Sequence, residues 1–420
     1  MSDKNGEKVK LFEETNLCSA CGACKNVCPR HAVSMEQDKS GFLYPEIDYS
    51  LCVGCGRCRK VCKYQKGMDR ECVQKTYAAV IRDKRTLLQS ASGGVFAELA
   101  RQTLDDGGVV YGVALLCEKN TLIPKHICVS DLNELPKLQG SKYVQSDIGM
   151  TYCEAERELK RGNKVLFSGT PCQIAGLKGF LGEEYSNLIT VDIICHGVPS
   201  AAFFQSYIDE LMKKWKGSII DFKFREKSNG WGLNAKIIYR NKSGKIKERK
   251  IPSGASSYYD MFLKSEIYRE NCYTCPYACK VRVGDLTLGD YWGIQREHPE
   301  LLTEAGGTFV EADGISCILV NSKKGQMFLK KAGTRIELAS STLEKVSNEN
   351  GQLNYPSQCP ETREYILRLY QEKGYIAVER YFKRRNGIRT QYYYLKNMLP
   401  RSLKKNIKKI LNKQQCWTER

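Results

Sequence analysis

Short apolar runs separated by polar segments dominate the middle of the chain. Val109 to Leu116, Lys164 to Phe167 and Leu188 to Ile194 are rich in the residues of buried strands. Between Phe203 and Trp215 the apolar positions recur at helical spacing, which predicts a helix with one buried face. A further extended piece is predicted at Ile219 to Phe224. The pattern predicts an α/β (α+β) body with a mixed sheet and flanking helices.

Two cysteine-rich runs precede this body. Both have the spacing Cys-x2-Cys-x2-Cys-x3-Cys, which is typical of a pair of 4Fe–4S clusters. Three thiolates spaced in this way surround one cluster, and the fourth binds the other cluster. We therefore assign one cluster to Cys18, Cys21, Cys24 and Cys62, and the second to Cys52, Cys55, Cys58 and Cys28. Two zinc sites are the alternative, but zinc usually takes separated Cys-x2-Cys pairs. Residues 1–70 are predicted to be a small two-cluster ferredoxin-type domain.

The composition narrows the class of protein. No apolar run approaches the roughly 18 residues that cross a bilayer, and Met1 to Lys10 is too polar for a secretory signal. A chain of 420 residues with 20 cysteines is too large for a disulfide-stapled secreted domain. The cysteines therefore indicate metal binding in a cytoplasmic protein.

The net charge of +19 is concentrated near the end of the chain. Gly374 to Arg420 holds 13 Lys and Arg against 2 Asp and Glu, a net charge of +11. After Pro400, apolar residues at helical spacing alternate with lysines and predict a basic amphipathic helix. Residues 400–413 could contact an anionic membrane at its inner face, dock an acidic partner or close the body. Without a recognition fold we do not expect nucleic acid as a partner.

Two loops in the body have the form of ligand-binding turns. Ser90 to Gly94 is glycine-rich and opens a helix, so its amides could bind a cofactor phosphate, although an ordinary helix cap has the same pattern. Ser168 to Cys172 follows a strand and opens the helix Gln173 to Leu181. This places Cys172 at a helix N-terminus, where a thiolate is favoured.

Four scattered cysteines of the body add up to the ligands of a third metal site. They are Cys172, Cys195, Cys272 and Cys275, with Cys279 close behind. Two other interpretations stay open on the pattern alone. The thiols could be buried and inert, or Cys172 could be a nucleophile activated by His196.

Residues 16 to about 320 resemble the beta subunits of coenzyme F420 hydrogenase/dehydrogenase, in the bacterial form with a fused two-cluster ferredoxin domain. The resemblance depends on six segments: Ser92-Gly93-Gly94, Gly140-Ser-Lys-Tyr-Val-Gln-Ser146, Ser168-Gly-Thr-Pro-Cys-Gln173, Cys195-His-Gly-Val-Pro199, Cys272-x2-Cys275 and Gly284-Asp-Leu-Thr-Leu-Gly-Asp-Tyr-Trp-Gly293. It implies an FAD-binding α/β domain with its own 4Fe–4S cluster. It makes Cys172, Cys195, Cys272 and Cys275 the ligands of that third cluster.

The resemblance also implies a division of the chain and a set of flavin contacts. The body would have an N-terminal region over 71–160 and a C-terminal FAD and 4Fe–4S region over 161–345, followed by a basic tail with an amphipathic helix over 346–420. Residues expected to line the flavin are Ser92, Gly93, Gly94, Lys142, Tyr143, Gln145, Gly169 and Thr170. For Lys142 the alternative is a solvated surface lysine. Asp285 and Asp290 could orient a cofactor or cap neighbouring amides.

We therefore expect an iron–sulfur flavoprotein oxidoreductase. Electrons would pass from a ferredoxin-like donor or redox partner protein through the 4Fe–4S clusters to FAD, and on to a small organic acceptor. Two alternatives are an enzyme that reduces or oxidises the deazaflavin coenzyme F420, and a non-catalytic electron-transfer subunit of a larger complex. The pattern identifies neither a catalytic residue nor the substrate.

Overall fold

The computed structural model describes residues 10–67, 70–228 and 230–398. Its strands are β1 Val33–Gln37, β2 Leu43–Ile47, β3 Lys75–Ile81, β4 Val109–Glu118, β5 Thr121–Val129, β6 Val165–Gly169, β7 Leu188–Ile193, β8 Gly217–Lys223, β9 Asn234–Asn241, β10 Ile246–Pro252, β11 Leu286–Asp290, β12 Ser316–Val320 and β13 Ile336–Ser341. Its α-helices are α1 Ala23–Asn26, α2 Arg57–Lys60, α3 Lys63–Lys66, α4 Lys84–Gln89, α5 Val95–Asp105, α6 Thr151–Lys160, α7 Pro171–Leu181, α8 Ala201–Trp215, α9 Ser257–Leu263, α10 Ile294–Glu297, α11 Lys323–Lys331, α12 Leu343–Asn348 and α13 Thr362–Met398.

An eight-stranded mixed sheet forms the centre of the body, in the order β13-β3-β12-β11-β7-β6-β4-β5. Strands β4, β6, β7 and β11 are mutually parallel neighbours, whereas β12 pairs antiparallel with β11 and with β3. The carboxyl ends of the four parallel strands therefore meet at one edge of the sheet. The predicted α/β body with a mixed sheet is confirmed.

The central strands are apolar because helices cover the sheet. Val110, Leu166, Val191 and Ile318 are buried in one core that also holds Leu99 of α5. Strands covered in this way read as continuous Val, Ile and Leu runs, which is why β4, β6 and β7 were recognisable in the sequence. The sheet is thus a rigid platform, and its carboxyl edge holds the loops.

A second sheet and an aromatic core lie beside the main sheet. Strands β10, β9 and β8 form an antiparallel three-stranded sheet. The rings of Phe204 in α8, Phe222 in β8 and the following Phe224 pack within 4.6 to 5.2 Å of one another, centroid to centroid. Aromatic contacts of this kind fix the sheet against α8.

The cysteine-rich N-terminal part forms a small separate layer. It has one antiparallel hairpin, β1–β2, and the short helices α1, α2 and α3. Gly22 before α1 and Gly56 before α2 have φ of 75° and 69°, in the left-handed region that favours glycine. These glycines allow a tight turn of the backbone within each cysteine run, just before α1 and α2.

The end of the chain differs from the predicted basic tail. Ile366, Tyr375, Val378 and Phe382 of α13 are buried in the aromatic core, so this segment is part of the body. Lys383 and Arg384 of this helix are exposed, whereas Arg385 pairs with Asp260 and the buried Glu266. The many basic residues masked the apolar face in the composition. The amphipathic helix predicted after Pro400 lies outside the described residues. Over the described ranges, no helix has the length and apolar character to cross a membrane.

Gly93 provides a test of the packing at the sheet edge. A β-carbon at this position would lie 2.1 Å from the carbonyl oxygen of Ala79 and 2.7 Å from the amide nitrogen of Ser316. We expect Gly93→Ala to lower the midpoint of thermal unfolding, followed by circular dichroism, by about 3 °C, because backbone atoms cannot move aside. Gly232→Ala is the control, since a β-carbon there approaches only Asn234, at 3.8 Å. Equal midpoints for the two variants would contradict this packing.

Candidate functional site

A cavity of about 560 Å³ lies at the carboxyl edge of the main sheet. Gly169 at the end of β6, Ile193 at the end of β7 and Asp290 at the end of β11 all line it, together with the first turn of α7. Ligand sites of open α/β sheets lie at this edge, and the volume is typical of such sites. The fold therefore places one binding cavity where the loops converge.

Four cysteines form one wall of this cavity. Cys172, Cys195, Cys272 and Cys275 all line it. Burial raises the pKa of Cys195 well above its ordinary value, and charge on the other three thiols raises it further. Burial also raises the pKa values of Cys272 and Cys275 to about 12, with Cys172 adding to both. The cysteines that are scattered in the sequence thus converge into one electrostatically coupled group, the body thiol group.

Separate elements position the members of the body thiol group. Cys172 lies in the first turn of α7, where the Gln173 side chain accepts a hydrogen bond from the Thr170 amide at 3.0 Å and caps the helix. Cys195 follows β7, and Cys272 lies in the short 3-10 turn Glu270–Thr274. The sheet edge and one loop therefore supply the four thiols.

The structure corrects the expectation of a thiolate at the start of α7. Burial raises the pKa of the Cys172 thiol, and this outweighs the lowering by the Thr170 hydroxyl and the Arg269 charge. An activated nucleophile needs a lowered thiol pKa. The geometry therefore opposes the alternative in which Cys172 is a nucleophile paired with His196.

Cys279 is engaged outside the body thiol group. Its sulfur lies 3.2 Å from the Val281 carbonyl oxygen and accepts a hydrogen bond from Arg70 Nη1 at 3.2 Å. It is thus held by its own loop and by the segment that joins the N-terminal layer to the body.

The N-terminal cysteines separate into the two groups that the spacing predicts. Burial raises the pKa of Cys24, and Cys21, Cys18 and Cys62 raise it further; these four are the first thiol group. Burial likewise raises the pKa of Cys58, with contributions from Cys28 and Cys52. A small cavity is lined by Cys28, Cys52, Cys55 and Cys58, which are the second thiol group. Cys28 thus lies with the second cysteine run and Cys62 lies near the first, and the assignment of ligands to clusters stays a prediction.

The described cysteines form neither a compact site for one metal ion nor a disulfide. Within the described ranges, no group of three or more His, Cys, Asp or Glu side chains is compact enough to hold one ion. The thiolates of a 4Fe–4S cluster bind different iron atoms and therefore stand farther apart than the ligands of one zinc ion. None of the described cysteines forms a disulfide.

The first thiol group and the body thiol group meet across α7. A β-carbon at Gly176 would lie 2.9 Å from both the Cβ and the Sγ of Cys21, so glycine is required there for this approach. Cys172, one turn earlier on the same helix, is near enough for its charge to raise the pKa of Cys21 further above the value set by burial. The N-terminal layer and the cavity wall are thereby in direct contact.

Arg269 lies between these two groups. Its side chain is buried, with Nε donating to the Cys18 carbonyl at 2.9 Å and Nη1 donating to the Leu43 carbonyl at 2.7 Å. Burial raises the pKa values of Cys18 and Cys172, and the guanidinium charge lowers both. Nη2 is buried without a hydrogen-bond partner among the described residues. A donor in this position suits an anionic group held by the thiols.

The remaining cavity wall contains the residues expected to line a flavin, with one exception. Ser92, Gly94, Lys142, Tyr143, Gln145, Gly169 and Thr170 line the cavity. Gly93 instead packs against β3 and the start of β12, and its amide donates to the Ser316 hydroxyl at 2.9 Å. Its role is to let the loop approach the sheet.

Lys142 is not a solvated surface lysine. Its Nζ donates to the carbonyl oxygens of Lys137 at 3.1 Å and Gln139 at 2.8 Å, on the cavity wall. Loss of solvent around the ammonium lowers its pKa to about 7. Its charge therefore changes near neutral pH.

A polar group missed by the sequence analysis borders the cavity. Arg225 Nη1 donates to Asp290 Oδ2 at 2.8 Å and to the Tyr143 hydroxyl at 2.9 Å, and its side chain is only 1% exposed. Trp231 Nε1 donates to Asp290 Oδ1 at 3.1 Å, and its ring stacks on Trp292. Asp290 thereby fixes the Arg225 side chain, and Arg225 in turn holds the hydroxyl of Tyr143, which lines the cavity. No motif marks Arg225 in the sequence, because its partners come from distant segments.

Asp285 has the other of its two expected roles. Its Oδ2 accepts hydrogen bonds from the Thr190 amide at 2.8 Å and the Thr190 hydroxyl at 2.7 Å. Its Oδ1 accepts from the Ser322 hydroxyl at 2.7 Å. It therefore ties β7 to the segments that begin β11 and follow β12, away from the cavity.

Comparisons with known proteins agree with this geometry. Residues 162–346 match a family model for the C-terminal part of the beta chain of coenzyme F420 hydrogenase/dehydrogenase, and residues 17–66 match a 4Fe-4S dicluster domain. Over residues 162–346 the chain is therefore similar to the C-terminal part of these beta subunits. The resemblance stated from the sequence is thereby confirmed, and the protein is an iron–sulfur redox protein that transfers electrons.

Two relatives of this chain share less than 30% sequence identity with it. An uncharacterized protein of Methanocaldococcus jannaschii, MJ1349, is 22% identical over 353 residues, which cover 76% of this chain and 87% of that protein. The coenzyme F420-dependent sulfite reductase of the same organism is 28% identical over 178 residues, 41% of this chain and 26% of that enzyme. The chain thus spans about a quarter of the sulfite reductase. A chain from the F420-reducing NiFe hydrogenase complex of Methanosarcina barkeri aligns with a TM-score of 0.41 and 16% identity, covering 69% of this chain and 97% of that one.

The pKa of Lys142 can be tested by acetylation, because only a neutral amine reacts. With a pKa of about 7, the amine is protonated below pH 7 and neutral above it. We expect its rate of acetylation by acetic anhydride, followed by peptide mass spectrometry, to level off above about pH 8. N-acetyl-lysine amide, with a pKa of about 10.4, is the reference and continues to gain reactivity. A Lys142 rate that rises in parallel with the reference up to pH 9 would contradict the lowered pKa.

The Arg225–Asp290 pair can be tested by neutralising the carboxylate. We expect Asp290→Asn to lower the free energy of unfolding by about 3 kcal/mol, since it leaves a buried guanidinium without its counter-charge. For a chain of 420 residues this corresponds to a loss of about 3 °C in the thermal midpoint. Glu210→Gln is the control because it removes the surface pair with Lys213, whose side chain is 72% exposed. A similar small change in both variants would show that the buried pair is not needed.

Proposed function

We propose that the protein is an iron–sulfur flavoprotein oxidoreductase. It passes electrons from a ferredoxin-like donor through 4Fe–4S clusters to FAD and on to a small organic acceptor. One observation carries the proposal: one cavity at the sheet edge is lined both by the body thiol group and by a glycine-rich helix start. When bound, clusters supply one-electron transfer and a flavin supplies exchange between single electrons and pairs.

The thiol groups define the proposed ligands. The first cluster is assigned to Cys18, Cys21, Cys24 and Cys62, the second to Cys28, Cys52, Cys55 and Cys58, and the third to Cys172, Cys195, Cys272 and Cys275. The residues fit such clusters because the thiols of each group are coupled and desolvated. Arg269 also presents an unpartnered buried Nη2 beside two of the groups. This chain thus provides both the ligands and a donor for cluster sulfur.

Another part of the cavity lining supplies what a dinucleotide cofactor needs. The Ser90–Gly94 loop leads into the 11-residue helix α5, and Val95 and Phe96 of its first turn line the cavity. Free amides and the positive end of a helix favour a phosphate. Lys142 adds a positive charge on the same cavity below pH 7. We therefore assign the pyrophosphate to this loop, with Tyr143 and Gln145 completing the wall.

A second candidate function is reduction or oxidation of coenzyme F420 itself. The family description and the F420-dependent sulfite reductase relative support this candidate. A third is a non-catalytic electron-transfer subunit, which the description of the family as beta subunits supports. Turnover of purified F420, or of a small organic acceptor, by the isolated chain separates the enzymes from the subunit.

Metal and flavin content tests the proposal first. We expect about 12 iron atoms, an equal amount of acid-labile sulfide and one FAD per chain after anaerobic purification. Three 4Fe–4S clusters account for this iron. About 8 iron atoms without flavin would leave only the N-terminal clusters and would overturn the proposal for the body.

Gly176→Ala tests the contact between the first thiol group and α7. The added methyl group would meet Cys21 and displace a proposed ligand, although alanine normally stabilises a helix. We expect iron to fall by about four atoms per chain relative to Gly232→Ala, with FAD retained. Cys172→Ser should lose a similar amount of iron through the third cluster, so electron paramagnetic resonance must show different clusters missing in the two variants. Full iron content in Gly176→Ala would contradict the close approach.

A further inference from the structure

The three thiol groups form a row that ends at the protein surface. Helix α1, which carries Cys24 of the first group, packs against α2, which carries Cys58 of the second, and Cys21 of the first group approaches Gly176 of α7, the helix that carries Cys172. The first group therefore lies between the other two. Among the twelve cysteines of the three groups only Cys55, in the second group, is exposed. The second group is thus the outer end of the row.

An apolar patch surrounds this outer end. Leu51 and Val53 flank Cys52 and are 43% and 52% exposed. These two apolar side chains lie directly beside a ligand proposed for the second cluster, and a docked partner would bury them. The loop that carries them is anchored by Asp48, whose Oδ1 accepts from the Ser50 amide at 2.9 Å.

Basic residues lie beside the patch, since Arg30 and Arg57 line the small cavity of the second thiol group together with Val53. We call the basic residues of this region the rim. Its members are exposed and come from the two cysteine runs: Arg30, Arg57, Arg59, Lys60 and Lys66. None of them takes part in an ion pair within the described part of the chain. In the sequence from Ile47 to Lys66, Asp48 is the single acidic residue. The rim charges are therefore available to a partner.

We propose that this surface docks an acidic one-electron carrier protein of the ferredoxin or flavodoxin type. We call the surface the carrier face: Leu51, Val53 and Cys55 with the five rim residues. The proposal rests on the proposed function, since it assumes a cluster in the second thiol group. In each encounter the reduced carrier loses one electron and this chain gains one, so two encounters supply the pair for a two-electron acceptor.

The charge and the apolar centre select this occupant over others. An acidic carrier is steered to the rim, and it can bury its own apolar contact against Leu51 and Val53. A second copy of this chain, with a net charge of +19, would bring two positive rims together. The phosphates of a nucleic acid would pair with the basic rim residues. They would leave the apolar side chains of Leu51 and Val53 unburied.

Stopped-flow reduction tests the carrier face. The donor is a reduced acidic 2Fe–2S ferredoxin. The second reductant is the neutral 5-deazariboflavin radical, produced by light with EDTA as the sacrificial electron donor. The rim variant is Arg57→Glu/Arg59→Glu/Lys60→Glu. The control variant, Lys242→Glu/Lys245→Glu/Lys247→Glu, makes the same charge change on the exposed β9–β10 hairpin. Iron content is measured for every variant.

We expect the rim variant to be reduced by ferredoxin at least about tenfold more slowly than the wild type at low ionic strength. The control variant should stay within about twofold of the wild type, because its charges are away from the carrier face. The wild-type rate should fall steeply as salt rises, and the rate with deazariboflavin should be equal in all three proteins. If the rim variant loses iron, the rate of reduction by ferredoxin is measured instead for Arg30→Glu. That rate and the salt dependence of the wild type then test the carrier face.

The outcomes separate the two proposals. If deazariboflavin reduces no cluster in the wild type, the proposed function fails and the carrier face with it. If it reduces all proteins equally but ferredoxin does not distinguish rim variant from control, or shows no salt dependence, the carrier face is overturned while the proposed function stands. Rim-dependent binding of a 20-base-pair DNA duplex without a rim effect on ferredoxin also overturns it.

Discussion

The close contact between α7 and the N-terminal layer is the constraint on which the rest of the structure depends. Gly176 faces Cys21, and a β-carbon at Gly179 would lie 2.6 Å from the Val61 carbonyl oxygen. Both glycines lie on one face of a helix whose first turn carries Cys172. A larger residue at either position would push the layer away from the cavity wall. The spacing between the first thiol group and the body thiol group therefore depends on glycine, which has no β-carbon, at positions 176 and 179.

A second constraint holds the loop that carries Cys272 and Cys275. Arg282 is buried, and its Nη2 donates to Asp192 Oδ1 at 2.9 Å and to the Ile193 carbonyl at 3.1 Å. Its Nη1 donates to the carbonyls of Tyr277 and Cys279. A buried arginine paired in this way fixes geometry more than it adds stability. It joins the loop to the end of β7, so that Cys195 and the loop cysteines share one wall.

The two walls of the cavity have different electrostatic character. Among the cysteines the desolvated thiols raise one another's pKa values, with Arg269 as the nearby positive charge. Around Lys142 and Arg225 the wall is cationic, although Arg225 is balanced by Asp290. A cavity lined by cysteine thiols in one part and by positive groups in another suits two adjoining groups of different chemistry. This division underlies the proposal of a cluster beside a flavin.

The sequence by itself determined the parts that depend on local spacing. The doubled cysteine runs, the strands β4, β6 and β7, and the capped start of α7 follow from periodicity and from residue types that need no distant partner. Tertiary structure decided what depends on distant contacts. Arg225 meets Asp290 and Tyr143 only after β11 and the segment after β8 come together, and Gly93 is used for packing because β3 and β12 approach it. The apolar face of α13 was hidden by its charge, since burial of Tyr375 and Phe382 is a property of the assembled core and not of the local sequence.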